Sequence, residues 1–183
     1  MFKIALHLRP TQTKETDQAP EGCDQNSPIA QVLDSACDML SDSGGTQFEM
    51  QIGSSAWPVD VRTDLSVFLE QLVPLLHFLD SGDGIFKISM YEQGIEANIV
   101  INTSQGLANV HCEPLMPGAK IRFDTSTESV TRSALIRNAT QVRDVFLEGC
   151  RRICPKLISL PSFIEWSAAT SIEATPSDTQ GRS

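Results

Sequence analysis

The side chains in this chain best suited to bond chemistry are its thiols and imidazoles: Cys23, Cys37, Cys112, Cys150 and Cys154, with His7, His77 and His111. His111 directly precedes Cys112, and a thiolate beside an imidazole is a nucleophile with its own base. Neighbouring residues of a strand point to opposite faces, however, so these two need help from elsewhere to meet. His77 is the other candidate base for Cys112. Cys150 and Cys154 lie four apart, on one face of a helix, but a metal centre there needs two more ligands, and the histidines are unpaired in sequence. Thiols packed in the core are the ordinary reading, and an odd count at irregular spacing fits reduced cysteines better than a disulfide framework. Ser81-Gly82-Asp83-Gly84 looks like a phosphate or calcium loop but lacks the ligands that must follow. Between a helix and a strand it reads as a cap and turn. The chain has no nucleophile elbow, Walker loop, dinucleotide fingerprint or HExxH. No catalytic residue, metal or cofactor is expected.

Recognition of a partner is the more legible chemistry. Tyr91-Glu92-Gln93-Gly94-Ile95-Glu96 puts the only tyrosine and two carboxylates at a hairpin tip. Tyrosine is common anchor material, and carboxylates steer a basic partner. An ordinary hairpin turn with Gly94 at positive φ accounts for the same residues. The charge distribution bears on the choice. Of the formal net charge of -9, residues 1–62 contribute -5, residues 63–118 contribute -6, and residues 119–183 contribute +2. Such a surface repels phosphate backbones, so direct nucleic-acid binding is not expected, and it suits a basic protein; acidity that merely keeps the domain soluble is the plainer alternative. Asp80, Asp83, Tyr91, Glu92, Gln93, Glu96 and Glu113 are the expected contact residues. The opening apolar run is too short for a signal peptide, and no stretch approaches the ~20 apolar residues of a membrane span, which points to a cytoplasmic address without membrane contact.

These groups must be held by a scaffold, and its centre is the stretch from Thr63 to Cys112. Leu65, Phe68, Leu69, Leu72, Leu76 and Leu79 recur at helical spacing, with Thr63 or Asp64 as cap. Pro74 removes a backbone donor and predicts a kink or restart near Glu70. Phe86, Ile88 and Met90, then Ile95, Ala97, Ile99 and Ile101, alternate as strands do. Ahead of this centre, Phe2–Leu8 reads as a strand, 9–26 as a loop, and Ser27-Pro28 as the start of a helix with an Ile29, Val32, Leu33, Ala36, Cys37, Leu40 stripe, ended by Gly44-Gly45. Phe48, Met50 and Ile52 make a half-buried strand, and Trp57-Pro58-Val59 an edge strand or extended segment. Beyond Cys112, Lys120–Phe123 reads as a short strand and Thr125–Ser129 as polar loop. A long helix runs from about Thr131 to Cys154, with Asn138-Ala139-Thr140 as a second possible start, and a last helical turn follows Pro161. The expectation is one α+β domain over residues 1–168, with an antiparallel β-sheet of about five or six strands and two or three helices packed on it, then a disordered polar tail, 169–183.

The run Asp64-Leu65, Phe68-Leu69-Glu70-Gln71-Leu72, Leu75-Leu76, Leu79, Phe86-Lys87-Ile88 and Tyr91–Glu96 resembles the cytosolic immunity proteins of bacterial polymorphic toxin systems. The likeness covers about residues 46–113, with an echo at Cys154–Leu157 and Phe163–Trp166. It implies a protein that binds one cognate toxin or effector domain and occludes its active site, with no catalytic residue to carry over. Two rivals stay open: an antitoxin enzyme of Cys/His hydrolase type that reverses a toxin's modification, and a non-catalytic adaptor or oligomerisation domain.

Overall fold

The computed structural model describes residues 2–9, 22–91, 95–115 and 125–171. Within them lie seven strands and five helices in the order β1 (Lys3–Leu8), α1 (Ile29–Asp42), β2 (Thr46–Ile52), β3 (Ser55–Trp57), α2 (Asp64–Glu70), α3 (Leu72–Ser81), β4 (Gly84–Met90), β5 (Ala97–Ser104), β6 (Leu107–Pro114), β7 (Glu128–Thr131), α4 (Arg132–Ile153) and α5 (Pro161–Ala169). The class is α+β, as the alternating and helical patterns predict. The strands do not form one sheet, though. β1-β2-β3 make a three-stranded antiparallel sheet, and β4-β5-β6-β7 make a four-stranded antiparallel meander. β3 is an edge strand only three residues long, and Pro58, which has no N–H to donate, follows it directly.

Most of each stripe read from the sequence is buried where it was expected, with Leu8, Ile29 and Phe86 only partly buried. Phe2, Ile4 and Leu6 of the first strand pack with Phe48, Met50 and Ile52, and register pairs Ile4 with Met50 and Leu6 with Phe48. α1 buries Val32, Leu33, Ala36, Cys37 and Leu40, and α4 buries Leu135, Ala139, Val142, Phe146 and Cys150. In the meander, Ile88, Ile99 and Cys112 form one buried row across three strands. Phe78 of α3 stacks on Phe86 of β4, with ring centroids 5.4 Å apart.

The central helix is two helices. It breaks at Gln71, three residues before Pro74, because the proline cannot donate to the preceding turn. The break has a use. The Gln71 amide group donates to the Ser89 carbonyl (3.0 Å), and its oxygen accepts from the Ser89 N–H (2.8 Å). A side chain thus does for the outer edge of β4 what a neighbouring strand would do, satisfying two backbone groups that would otherwise offer a pairing edge.

Several local readings need correction. α2 is capped by neither Thr63 nor Asp64 alone: the Asp60 carboxylate accepts from the Thr63 N–H (2.7 Å), while the Asp64 carboxylate reaches back to the Asp60 N–H (2.8 Å). This is a reciprocal box set one turn earlier than the periodicity suggests. The start read at Ser27-Pro28 holds to within a residue, for α1 begins at Ile29 with Pro28 at its cap position, and the Ser27 hydroxyl accepts from the Asp24 N–H. α4 begins at Arg132, with Thr131 accepting from the Ala134 N–H, so the Asn138 start is not used. β7 lies in the segment read as polar loop, since only Val130 of its four residues is apolar. The strand read at Lys120–Phe123 lies outside the described residues.

α5 is a two-turn helix rather than a single turn. Its Phe163 and Trp166 pack against Phe146 of α4, and the Trp166 indole N–H donates to the Leu69 carbonyl at the end of α2 (3.2 Å). Thr170, just beyond the expected boundary at 168, is fully buried, and its carbonyl accepts from Arg143. The rest of the tail, 172–183, lies outside the described residues.

Candidate interaction surface

Among the described residues, the helices pack on one face of the four-stranded sheet and none covers the other. Strand register lays that outer face out in rows: Ser89, Asn98 and Glu113; Lys87, Val100 and His111; Ile85, Asn102, Asn109 and Ser129; then Ser104, Leu107 and Thr131. Ile85 is 65% exposed and Leu107 50%. Val100, flanked in register by Lys87 and His111, is buried.

Polar side chains knit the platform across its strands. The Ser89 hydroxyl donates to the Asn98 amide oxygen (2.9 Å), and the Ser129 hydroxyl to that of Asn109 (2.5 Å). Lys87 donates to Glu113 (2.7 Å), with the His111 ring 3.7 Å from the same carboxylate. The Lys87 hydrogen bond, helped by the nearby charges, holds the Glu113 carboxyl below its usual range. Antiparallel strands with such cross-strand pairs are stiff, so a partner meets a surface that needs little ordering on binding.

The expected contact residues do not form one patch. Asp80 and Asp83 sit at the Gly84 end of β4, where the Asp83 carboxylate accepts from the Gln105 N–H (3.1 Å). Tyr91, Glu96 and Glu113 sit at the Met90 end, where Met90, Ala97 and Pro114 are neighbours in register. A seven-residue strand separates the two groups by about 20 Å. Tyr91 is 55% exposed, as an anchor must be. Glu96 takes a positive φ of 42°, and its carbonyl accepts from the Leu115 N–H. Glu92 and Gln93 lie outside the described residues, as does Gly94, whose positive φ the sequence reading invoked.

Sequence reasoning missed two features. One is the amide row of the open face, which alternation could have found: Asn98 and Asn102, like Asn109, His111 and Glu113, fall at every second position opposite buried residues. The other is a carboxylate stripe on α1. Asp34, Asp38 and Asp42 recur every four residues, and Arg62 braces the last two through both guanidinium ends. Burial, with Asp38 adding to it, raises the Asp34 carboxyl.

Four of the five thiols, Cys37, Cys112, Cys150 and Cys154, are buried as core residues. Cys112 faces the helices and His111 the open face, so the adjacent pair is split across β6. Burial pushes the Cys112 thiol up to about 11, the opposite of what a nucleophile needs. His77 is exposed on α3. Burial likewise raises Cys37 and Cys150, whose thiol also hydrogen-bonds Cys154. No group of three or more His, Cys, Asp or Glu suited to a metal occurs among the described residues. Ser81–Gly84 is the turn expected: Gly82 and Gly84 take positive φ, and the Thr103 hydroxyl donates to the Gly82 carbonyl (2.8 Å). No helix among the described residues is long and apolar enough to cross a membrane.

Compared with protein-family models, curated proteins and solved structures, the chain matches none of them.

Proposed function

We propose that this is a non-catalytic binding protein that neutralises a basic toxin or effector domain by covering its active site, in the manner of the immunity proteins that residues 46–113 resemble. The observation that carries the binding reading is the open face of β4–β7. It is rigid, mixed in polarity, and bracketed at both ends of β4 by carboxylates, with Tyr91 exposed at one of them. Asp80 and Asp83 at one end and Glu96 and Glu113 at the other attract a basic partner from two points, which orients it as well as speeding its approach. That the partner is a toxin rests on the resemblance alone. The enzyme alternative is less favoured by the placement of Cys112 and His111 on opposite faces of β6 and by the burial that raises the Cys112 thiol.

The test is first whether a toxin-like reading frame neighbours the gene; its absence would leave the reading without support. Inhibition of that frame's product is then titrated with purified protein. Inhibition should reach completion at one-to-one stoichiometry and survive Cys112→Ala. Ile85→Asp with Asn102→Arg, on exposed positions that leave the fold intact, should abolish it. Protection at a small fraction of stoichiometry, or its loss in Cys112→Ala, would instead establish the enzyme. Full inhibition by the face variant would place the contact elsewhere.

A further inference from the structure

β4 is an edge strand, and its register with β5 fixes which of its main-chain groups face outward. The Ser89 N–H and C=O are bonded to Gln71, so Ser89 and Asn98 are a pair that exchanges no hydrogen bonds. The register is unbroken from Gly84 to Met90, and antiparallel pairs alternate between bonded and non-bonded. The N–H and C=O of Lys87 and Ile85 therefore also point away from β5, along the same edge. None of these four groups has a partner among the described residues. Gln71 closes one end of the edge, and the rest is open.

A lysine often guards such an edge against pairing. Lys87 stands in that position, but its ammonium is drawn across the sheet face onto Glu113, 2.7 Å away. Ile85 is exposed, and Phe86, on the helix side with Phe78 stacked on it, is only partly buried. Asp80 and Asp83 are exposed at the Gly84 end of the strand. We propose that the Ile85–Lys87 edge of β4 is a strand-addition site whose occupant is an extended segment of the partner. That segment is apolar at alternate residues, to cover Phe86, and carries a cation where it passes Asp80 and Asp83. Main-chain bonds to Ile85 and Lys87 supply affinity, and the alternating side chains supply the choice of segment. The cation rests on the basic partner of the preceding reading; the open edge does not.

The experiment is NMR of the full chain, free and with a short synthetic peptide that alternates valine and threonine and carries a lysine at each end. In the free protein the amides of Ile85 and Lys87 should exchange fast, alternating with slow Phe86 and Ile88, whose pairs with Ile101 and Ile99 are the bonded ones. At saturating peptide the Ile85 and Lys87 amides should slow by about tenfold. Methylating the threonine main-chain nitrogens, which face the edge when valine covers Phe86, should weaken binding by about tenfold or more. Methylating the valine nitrogens, which face away, should not. Ile85→Pro removes an outward N–H and leaves the ladder to β5 whole, so it should lose the peptide while Ile85→Ala keeps it. An unchanged Ile99 amide in both variants shows that the sheet is intact, and the methylated peptides test the same point without altering the protein. Ile85 and Lys87 amides indifferent to the peptide, or equal binding by both methylated forms, would overturn the site. Shifts there that grow with protein concentration in the absence of peptide would overturn it in favour of a second copy. The inhibition titration separates this inference from the toxin reading. Full inhibition by Ile85→Pro would overturn the edge and leave that reading, whereas no inhibition with peptide binding intact would do the reverse.

Discussion

At the scale of single residues, Gln71 has the clearest role. Gln71→Ala leaves the Ser89 N–H and C=O on the sheet edge without their partner, at a cost of about 1–3 kcal/mol for two lost hydrogen bonds in a part-buried site. Urea unfolding should show that loss, and hydrogen exchange should show the Ser89 amide opening selectively. Glu49 and Glu113 give a pH dependence. Each is held below its ordinary value of 4.5, chiefly by a lysine hydrogen bond, from Lys3 and Lys87 respectively. A depressed carboxyl contributes stability that is present above its unfolded value and is lost as pH falls through the folded one. The fall in Tm below pH 4.5 should therefore be shallower in Glu49→Gln and Glu113→Gln than in the unmodified protein. The thiols divide by accessibility. Cys23 is only half-buried while the other four are buried, so a thiol reagent should label Cys23 quickly and the rest only on unfolding. Four fast-reacting thiols would contradict the packing described.

At the scale of elements, α4 comes close to α1 and β1 at Gly149. A Cβ at Gly149 would lie 2.8 Å from a Leu40 methyl and 3.3 Å from one of Leu8. Alanine in a helix ordinarily gains ~1 kcal/mol over glycine, but overpacking a full core costs about 1–3 kcal/mol. Gly149→Ala should therefore destabilise, and a rise in the urea midpoint would show that Leu40 moves aside freely. The elements also show what was legible in advance. Stripes such as Val32-Leu33-Ala36-Cys37-Leu40, and the restart imposed by Pro74, follow from period and covalent chemistry, so a single sequence contains them. β7 does not show itself, because an edge strand with one apolar residue has no pattern to distinguish it from a loop. The Asp60–Asp64 box escaped because it precedes the periodic run. The interaction surface was the least legible: carboxylates near one another in sequence end up at opposite ends of a strand, and only the register reveals this.

At the scale of the whole molecule, the two carboxylate groups are far enough apart to act independently. Asp83→Lys and Glu96→Lys should each slow association with a basic partner at low salt, their effects on the logarithm of the on-rate should add, and both should shrink at ~0.5 M salt as screening tightens. On-rates indifferent to salt and to both substitutions would leave the acidity as a solubility feature only. The meander has a last consequence, for the order in which the chain folds. Gln105 and Gly106, both at positive φ, join β5 to β6 by a two-residue turn, and β4 reaches β5 across residues 91–96, whereas β1 meets β2 only after α1 has intervened. Closing short loops costs little entropy, so contacts near in sequence form first. β1, whose partner strand lies beyond a whole helix, is thus left waiting, and pulse labelling during refolding should find the amides of Ile99 and Val110 sealed before that of Ile4.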